Sequence, residues 1–214
     1  MLKKYNLFYY SGLLLNFNDG INRIINLIVE KKVKSLAILI QVCIISGLIT
    51  LSSSSINSDL SSEVIPNLGG MENLLYITSF FLGLLAPLGI ICSLFIFLYV
   101  VSIFQVFNEN YVKMKLFSIA VISYIPILSG SIVNLILSLS FGVQPYGYIT
   151  AYGIFQPENS ILASITQQVD PFQFFSVLSA SYLYSKLFNK ERKNTIYLLI
   201  SWYLINILST LFMR

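Results

Sequence analysis

Apolar residues in this chain run in long blocks instead of alternating or recurring in short periods. Five blocks approach the roughly 20 residues that a helix needs to cross a hydrocarbon core of about 30 Å. They are Ser35–Leu51, Leu74–Phe107, Leu116–Phe141, Pro171–Phe188 and Asn194–Phe212. The first is short and needs a thin bilayer or interfacial flanks to span. The second is too long for one upright crossing and contains Gly83, Ala86, Pro87 and Gly89. It reads either as one long, tilted, proline-kinked helix or as two half-length segments turning near Pro87.

Charge chooses between these readings. Segment 52–73 has no Lys or Arg, only Asp59, Glu63 and Glu72, whereas segment 108–115 carries Lys113 and Lys115. An odd number of crossings between them satisfies the positive-inside rule, so the single kinked helix is expected. Lys3, Lys4, Arg23, Lys31, Lys32 and Lys34 precede the first span, and Lys186, Lys190, Arg192 and Lys193 surround the turn after the fourth. Neither outer loop, 52–73 or 142–169, has a basic residue, so all of the 13 but Arg214 fall on one side. The expected fold is all-α: a polytopic helical membrane bundle of about five transmembrane helices with an N-terminal amphipathic interfacial helix. Residues 1–34 form a cytosolic segment and 35–214 the five-span domain. The expected setting is the plasma (bacterial inner) membrane, with the N-terminus cytosolic and the C-terminus outside.

Before the first span, Ile21, Ile24, Ile25 and Ile28 recur at helical spacing opposite Asn22, Arg23, Asn26 and Glu30, with Asn18 or Asp19 as the cap. Such a helix suits the cytosolic interface. Its stripe is either a structural collar or a docking element for a partner subunit. Lys3 and Lys4 precede Leu13–Leu14–Leu15, but Asn16, Asn18 and Asp19 interrupt that stretch, so it is no cleaved signal peptide.

Composition agrees. The chain has 214 residues, 56% hydrophobic and 10% charged, with a mean hydropathy of +0.78. A soluble domain carries about 25% charged residues, so most of this surface must face lipid. The net charge of +4 has no basic, aromatic-interleaved stripe behind it, which excludes a nucleic-acid reading. Cys43 and Cys92 lie in apolar runs and read as small hydrophobes.

No chemistry is legible. Histidine is absent, which removes Ser-His and Cys-His catalysis and His-bearing metal motifs. No GxSxG, Walker A or GxGxxG pattern appears, so no catalytic, cofactor or metal site is expected, and no cofactor. All nine acids fall in loops or at span ends, unlike the buried charges of coupled transporters. Lys186 reads as a snorkelling anchor, with a dyad to Ser181 or Ser185 as the sharper alternative. The neutral polar residues inside spans, Gln41, Ser129, Ser131, Asn134, Ser138, Ser179, Ser181, Ser201 and Asn206, suit close helix packing or, alternatively, a polar groove for a headgroup or peptide. The aromatic loop 142–169 rests in the outer headgroup region or plugs a cavity.

Two stretches carry a family resemblance. Ser123–Tyr124–Ile125–Pro126, followed by Gly130 and Asn134, and Asp170–Pro171–Phe172 before a basic hairpin and a final span, resemble the bacterial branch of the YIP (Ypt/Rab-interacting protein) family. The similarity covers roughly 19–212 and agrees with the five-span, N-inside layout. Physically, Pro126 kinks its span and Pro171 suits the first turn of a helix capped by Asp170. The resemblance implies a non-enzymatic membrane protein, an accessory of an export or peptide-immunity system that binds other membrane subunits, an ABC-type exporter among them. The alternative is a small transporter or lipid-handling protein with a neutral polar groove. Polar positions lining a cavity would favour the alternative, and an exposed apolar seam the accessory role.

Overall fold

The computed structural model describes residues 6–62, 72–105, 112–144 and 146–212. Lys3, Lys4, Glu63, Phe107 and Arg214, used above, lie outside the described residues. Among the described residues the protein is helical, without strands. The helices are α1 (Leu7–Leu15), α2 (Phe17–Val29), α3 (Ser35–Ser62), α4 (Glu72–Phe104), α5 (Val112–Ser123), α6 (Ile125–Phe141), α7 (Ala151–Phe155), α8 (Ser160–Gln168), α9 (Pro171–Leu187) and α10 (Arg192–Phe212). Three stretches are long and apolar enough to cross a membrane: Ser35–Ile56, Asn73–Phe104 and the joined α5–α6 over Val112–Phe141.

The first block is not short. α3 continues 11 residues past Leu51 to Ser62 because its serine run does not break the helix. Ser52 donates to the Leu48 carbonyl, and Ser54 and Ser55 to that of Leu51. Their hydroxyls are thus satisfied by the preceding turn. α4 runs as one helix through Pro87, about 50 Å by its 33 residues. It packs along α3, where Gly83 lies so close to Thr50 and the Ser46 carbonyl that a Cβ there would clash.

α5 and α6 share one column with a break at Tyr124. Pro126 supplies no N–H, and its ring displaces the Ile122 carbonyl four residues back. At this break the Ser123 carbonyl accepts from the Ser176 hydroxyl on α9. Antiparallel to α5–α6, α9 carries a face of small buried residues, Ser176, Ser179, Ala180, Ser181 and Ser185. A Cβ on Gly130 would sit 2.8 Å from the Phe172 ring.

These contacts fix the level of α9. Its first turn lies beside Gly130, and α6 runs on to Phe141, about 16 Å further. α9 itself has 17 residues, about 26 Å. Segment 146–170 folds back into the space beyond its start. Asn134 Oδ1 accepts from the Tyr148 and Ile149 amides at 2.8 and 3.3 Å. The Ala151 amide donates to the Val169 carbonyl at 2.8 Å. α8 packs on α10, with Gln168 Nε2 donating to Thr210 at 3.3 Å. The aromatic loop of the sequence is therefore two short helices and a turn, tied two turns inside the end of α6.

At the opposite end the basic boundaries gather. Gln105, just past α4, donates to Asn194 Oδ1 at 3.1 Å and accepts from the Tyr184 hydroxyl at 3.2 Å. Asn194 Nδ2 donates to Ser185 at 3.1 Å, and Lys186 donates to Asn22 on α2 at 2.8 Å. The starts of α3 and α5 lie at this end too, through the Ser35 and Ser118 hydroxyls, 2.7 Å apart.

α1 and α2 form a hairpin whose turn presses Gly20 onto the Leu13 carbonyl, leaving no room for a side chain. α2 starts at Phe17, earlier than the expected caps Asn18 and Asp19, and Asp19 falls in its first turn. α1 was not foreseen: Asn6 caps it by accepting from the Phe8 amide, and Leu7, Tyr10, Leu13 and Leu14 are buried. Burial, then the neighbouring Tyr9, pushes the Tyr10 phenol up to about 12, so it stays protonated at neutral pH. The hairpin follows the flank of the bundle instead of crossing its end. The Leu7 amide donates to Gln41 of α3 at 3.1 Å, while Ser11, Leu14 and Leu15 border a crevice with Pro126, Ser129 and Phe172.

Candidate functional site: a polar crevice beside a broken helix

A crevice of about 320 Å³ lies beside the start of α9 and the first turn of α6. α4 contributes Gly89 and Ser93, α6 Ile127, α9 Gln173 and Ser176, and α10 Trp202 and Asn206, while Gln168 and Asp170 close one side. Each element has a reason to deliver its residue. Pro126 opens the α5–α6 column at this level, and Gly89 leaves α4 without a side chain there. Asp170 caps α9, its Oδ1 accepting from the Phe172 and Gln173 amides at 2.7 and 3.2 Å. That bond makes Pro171 the first helical residue, where its missing N–H costs nothing.

Gly89 is central in α4 and Ile127 central in Val112–Phe141. Asp170 therefore shares a crevice with residues from the middles of two long apolar helices, two residues before the Phe172 that meets Gly130. The expectation that every acid lies in a loop or at a span end holds for Asp170, which caps α9, but α9 starts beside Gly130, inside the length of α6, and segment 146–170 dips to meet it.

The crevice is rich in hydrogen-bonding groups and poor in nucleophiles. It offers the side-chain amides of Gln168, Gln173 and Asn206, the hydroxyls of Ser93 and Ser176, and one carboxylate. Asn206 Nδ2 donates to the Trp202 carbonyl at 2.9 Å. Among the described residues the buried Trp202 indole N–H has no hydrogen-bond partner. Buried donors left unpaired cost on the order of 1–3 kcal/mol each, which a polar guest or water could recover. Amides, hydroxyls and a carboxylate at this spacing can hold a polar headgroup.

The residues singled out in the sequence fall into two groups. Ser123, Tyr124, Pro126, Gly130, Asn134, Asp170, Pro171 and Phe172 come together, although 35 residues of chain lie between Asn134 and Asp170. Gly130 meets Phe172, Ser123 meets Ser176, and Asn134 holds the turn that leads to Asp170. Of these only Asp170 borders the crevice; the others position its walls. Ile21, Ile24 and Ile28 are buried inside the chain and Ile25 is half-buried, with α2 packed on α1, α5 and α9. The stripe offered to a partner subunit is covered by the protein itself.

Sequence reading missed Gln168, Gln173, Ser93 and Trp202, which stand in no motif. Of the neutral polar positions it named, Asn206 borders the crevice, whereas Ser129 and Ser131 donate to their own helix. The conceivable Ser–Lys dyad does not form. Lys186 turns to Asn22 and to the Tyr182 ring, 5.3 Å from its centroid, while Ser185 accepts from Asn194. Cys43 and Cys92 are free thiols, the first buried and the second exposed.

Neither family models nor curated proteins nor solved structures yield a match to this chain.

Proposed function

We propose that the chain is a non-enzymatic membrane protein built like the bacterial YIP proteins, with α3, α4, α5–α6, α9 and α10 as its five spans. The gathering of the basic boundaries at one end supports a cytosolic placement of that end. Its working site is the crevice around Asp170, which takes the polar head of a lipid or another amphipathic molecule. A lipid-handling or small-transporter role follows from that site. The observation that carries it is the convergence of three amides, two hydroxyls and a carboxylate level with the middle of α4. Polar groups are costly at such depth and are kept where they serve a site. The test is to purify the protein from its native membrane in neutral detergent and identify the co-purifying small molecules by mass spectrometry. A molecule with a polar head should accompany the wild type and be lost from Gln173→Leu with Asn206→Leu. Identical profiles for both would contradict the proposal.

A second reading has its own support. α4 leaves Leu74, Leu75, Ile77, Phe81, Leu82 and Leu85 exposed along one apolar surface. Such a face suits an accessory that lies against another membrane subunit, an ABC-type exporter being one candidate. Stoichiometric co-purification of a subunit, lost on Leu82→Trp with Leu85→Trp but kept in the crevice variant, would establish this role.

A further inference from the structure

A second crevice, of about 530 Å³, opens at the basic end between the α2–α3 turn and the first turns of α5. Its walls include Ile28, Val33, Ala37 and Phe117, and three lysines border it: Lys31, Lys34 and Lys115. Lys31 and Lys34 are exposed and Lys115 is half-buried. Beside them Leu36 and Met114 stand 66% and 62% exposed, so an apolar strip adjoins the charges.

The local chemistry explains how the charges reach one place. α2 ends with the Lys32 amide donating to the Leu27 carbonyl at 2.9 Å and the Lys31 amide to that of Ile28 at 3.1 Å. This closure needs a left-handed residue, which is Lys31 at φ 54°. The same closure after α9 uses Asn189, at φ 51°, a residue type that tolerates it far better than lysine does. The Ser35–Ser118 hydroxyl pair then holds the start of α3 against α5, which brings Lys34 and Lys115 to the same opening. Glu30, the acid of this turn, pairs with Lys32 and does not border the crevice.

We propose that this crevice binds one anionic phospholipid, with its phosphate among Lys31, Lys34 and Lys115 and an acyl chain along Leu36 and Met114. The apolar strip selects a lipid over a soluble anion, which would leave those two side chains uncovered. The proposal rests on reading α3 and α5 as spans that enter the membrane at this end, and is independent of the crevice around Asp170.

The test uses the full chain in neutral detergent, with thermal unfolding followed during titration of dioleoyl phosphatidylglycerol or dioleoyl phosphatidylcholine. Phosphatidylglycerol should raise the midpoint saturably and phosphatidylcholine should not. Lys31→Gln, Lys34→Gln and Lys115→Gln together should weaken the apparent affinity on the order of a hundredfold. Lys34→Gln alone, an exposed change that should spare the fold, should weaken it several-fold. Lys190→Gln, Arg192→Gln and Lys193→Gln, on the other basic turn, should leave it unchanged. Equal shifts with the two lipids, or equal losses in the two triple variants, would overturn the proposal. So would a full shift with glycerol phosphate alone, which would make the site one for a free anion. Impermeant labelling of a cysteine placed at Lys34, read separately, reports whether this end lies at a membrane surface at all.

Discussion

Along Val112–Phe141, 67% of the most apolar stretch is buried inside the protein, against 22% along Asn73–Phe104. Yet α4 is the more apolar of the two, with a hydropathy of 2.6 against 2.0. In water the ranking would be reversed, because burying apolar surface drives folding there. In lipid an apolar side chain gains little by leaving the tails, so packing goes to helices with small side chains and hydrogen bonds to share. α5–α6 has Gly130, the Pro126 break and the Ser123 carbonyl beside it, and α9 answers with Phe172 and Ser176. α4 is held along α3 and presents the rest of its surface outward.

That contrast can be broken by substitution. Gly130→Leu should have the largest effect, because it drives a side chain into the Phe172 ring. A cost of about 3 kcal/mol or more is expected from such overpacking. The check is a loss of thermal stability in detergent, or of folded protein recovered from membranes. Ser176→Ala should come next. It strips the Ser123 carbonyl of its donor by removing a single heavy atom, for about 1–2 kcal/mol. Ser140→Ala, whose hydroxyl donates only to its own helix, is the comparison and should cost less than half as much.

Asn134→Leu should act locally. The Tyr148 and Ile149 amides would lose their acceptor, so hydrogen exchange over 146–150 should accelerate about tenfold or more, since one lost bond is worth about 1 kcal/mol and both amides share it. The unfolding midpoint should move much less than in Ser176→Ala. Leu85→Ala, on the exposed face of α4, should be the smallest, within about 0.5 kcal/mol of wild type. A loss there as large as that of Gly130→Leu would mean that α4 packs on something within the protein and would undo the contrast.

Much of this was readable in the chain. Pro126 and Asp170–Pro171 state a break and a helix start with mechanisms that need no neighbour, and both occur where expected. The long apolar blocks marked α3, α4 and α5–α6. The extent of α3 was not readable, since a serine can bond either to water or to its own helix, and the surroundings decide. α1, α7 and α8 are too short for a period to announce them. The depth of Asp170 depends on Gly130 meeting Phe172 and on Asn134 drawing in the turn before α7. The Ile21–Ile28 stripe showed that one face of α2 would be covered, but not that α1, α5 and α9 would cover it.

The central claim is that the crevice around Asp170 is a polar, hydrated site at the middle depth of the spans. Thiol reactivity tests it most directly, because a thiol must ionise in water to react. In a background with Cys43→Ser and Cys92→Ser, Gln173→Cys places a thiol in the crevice, and Leu204→Cys one on the 52% exposed, apolar face of α10. In intact membranes a small water-soluble thiosulfonate should modify the cysteine at 173 at least tenfold faster than the one at 204. Equal, negligible rates at both positions would mean a dry crevice and would contradict the account.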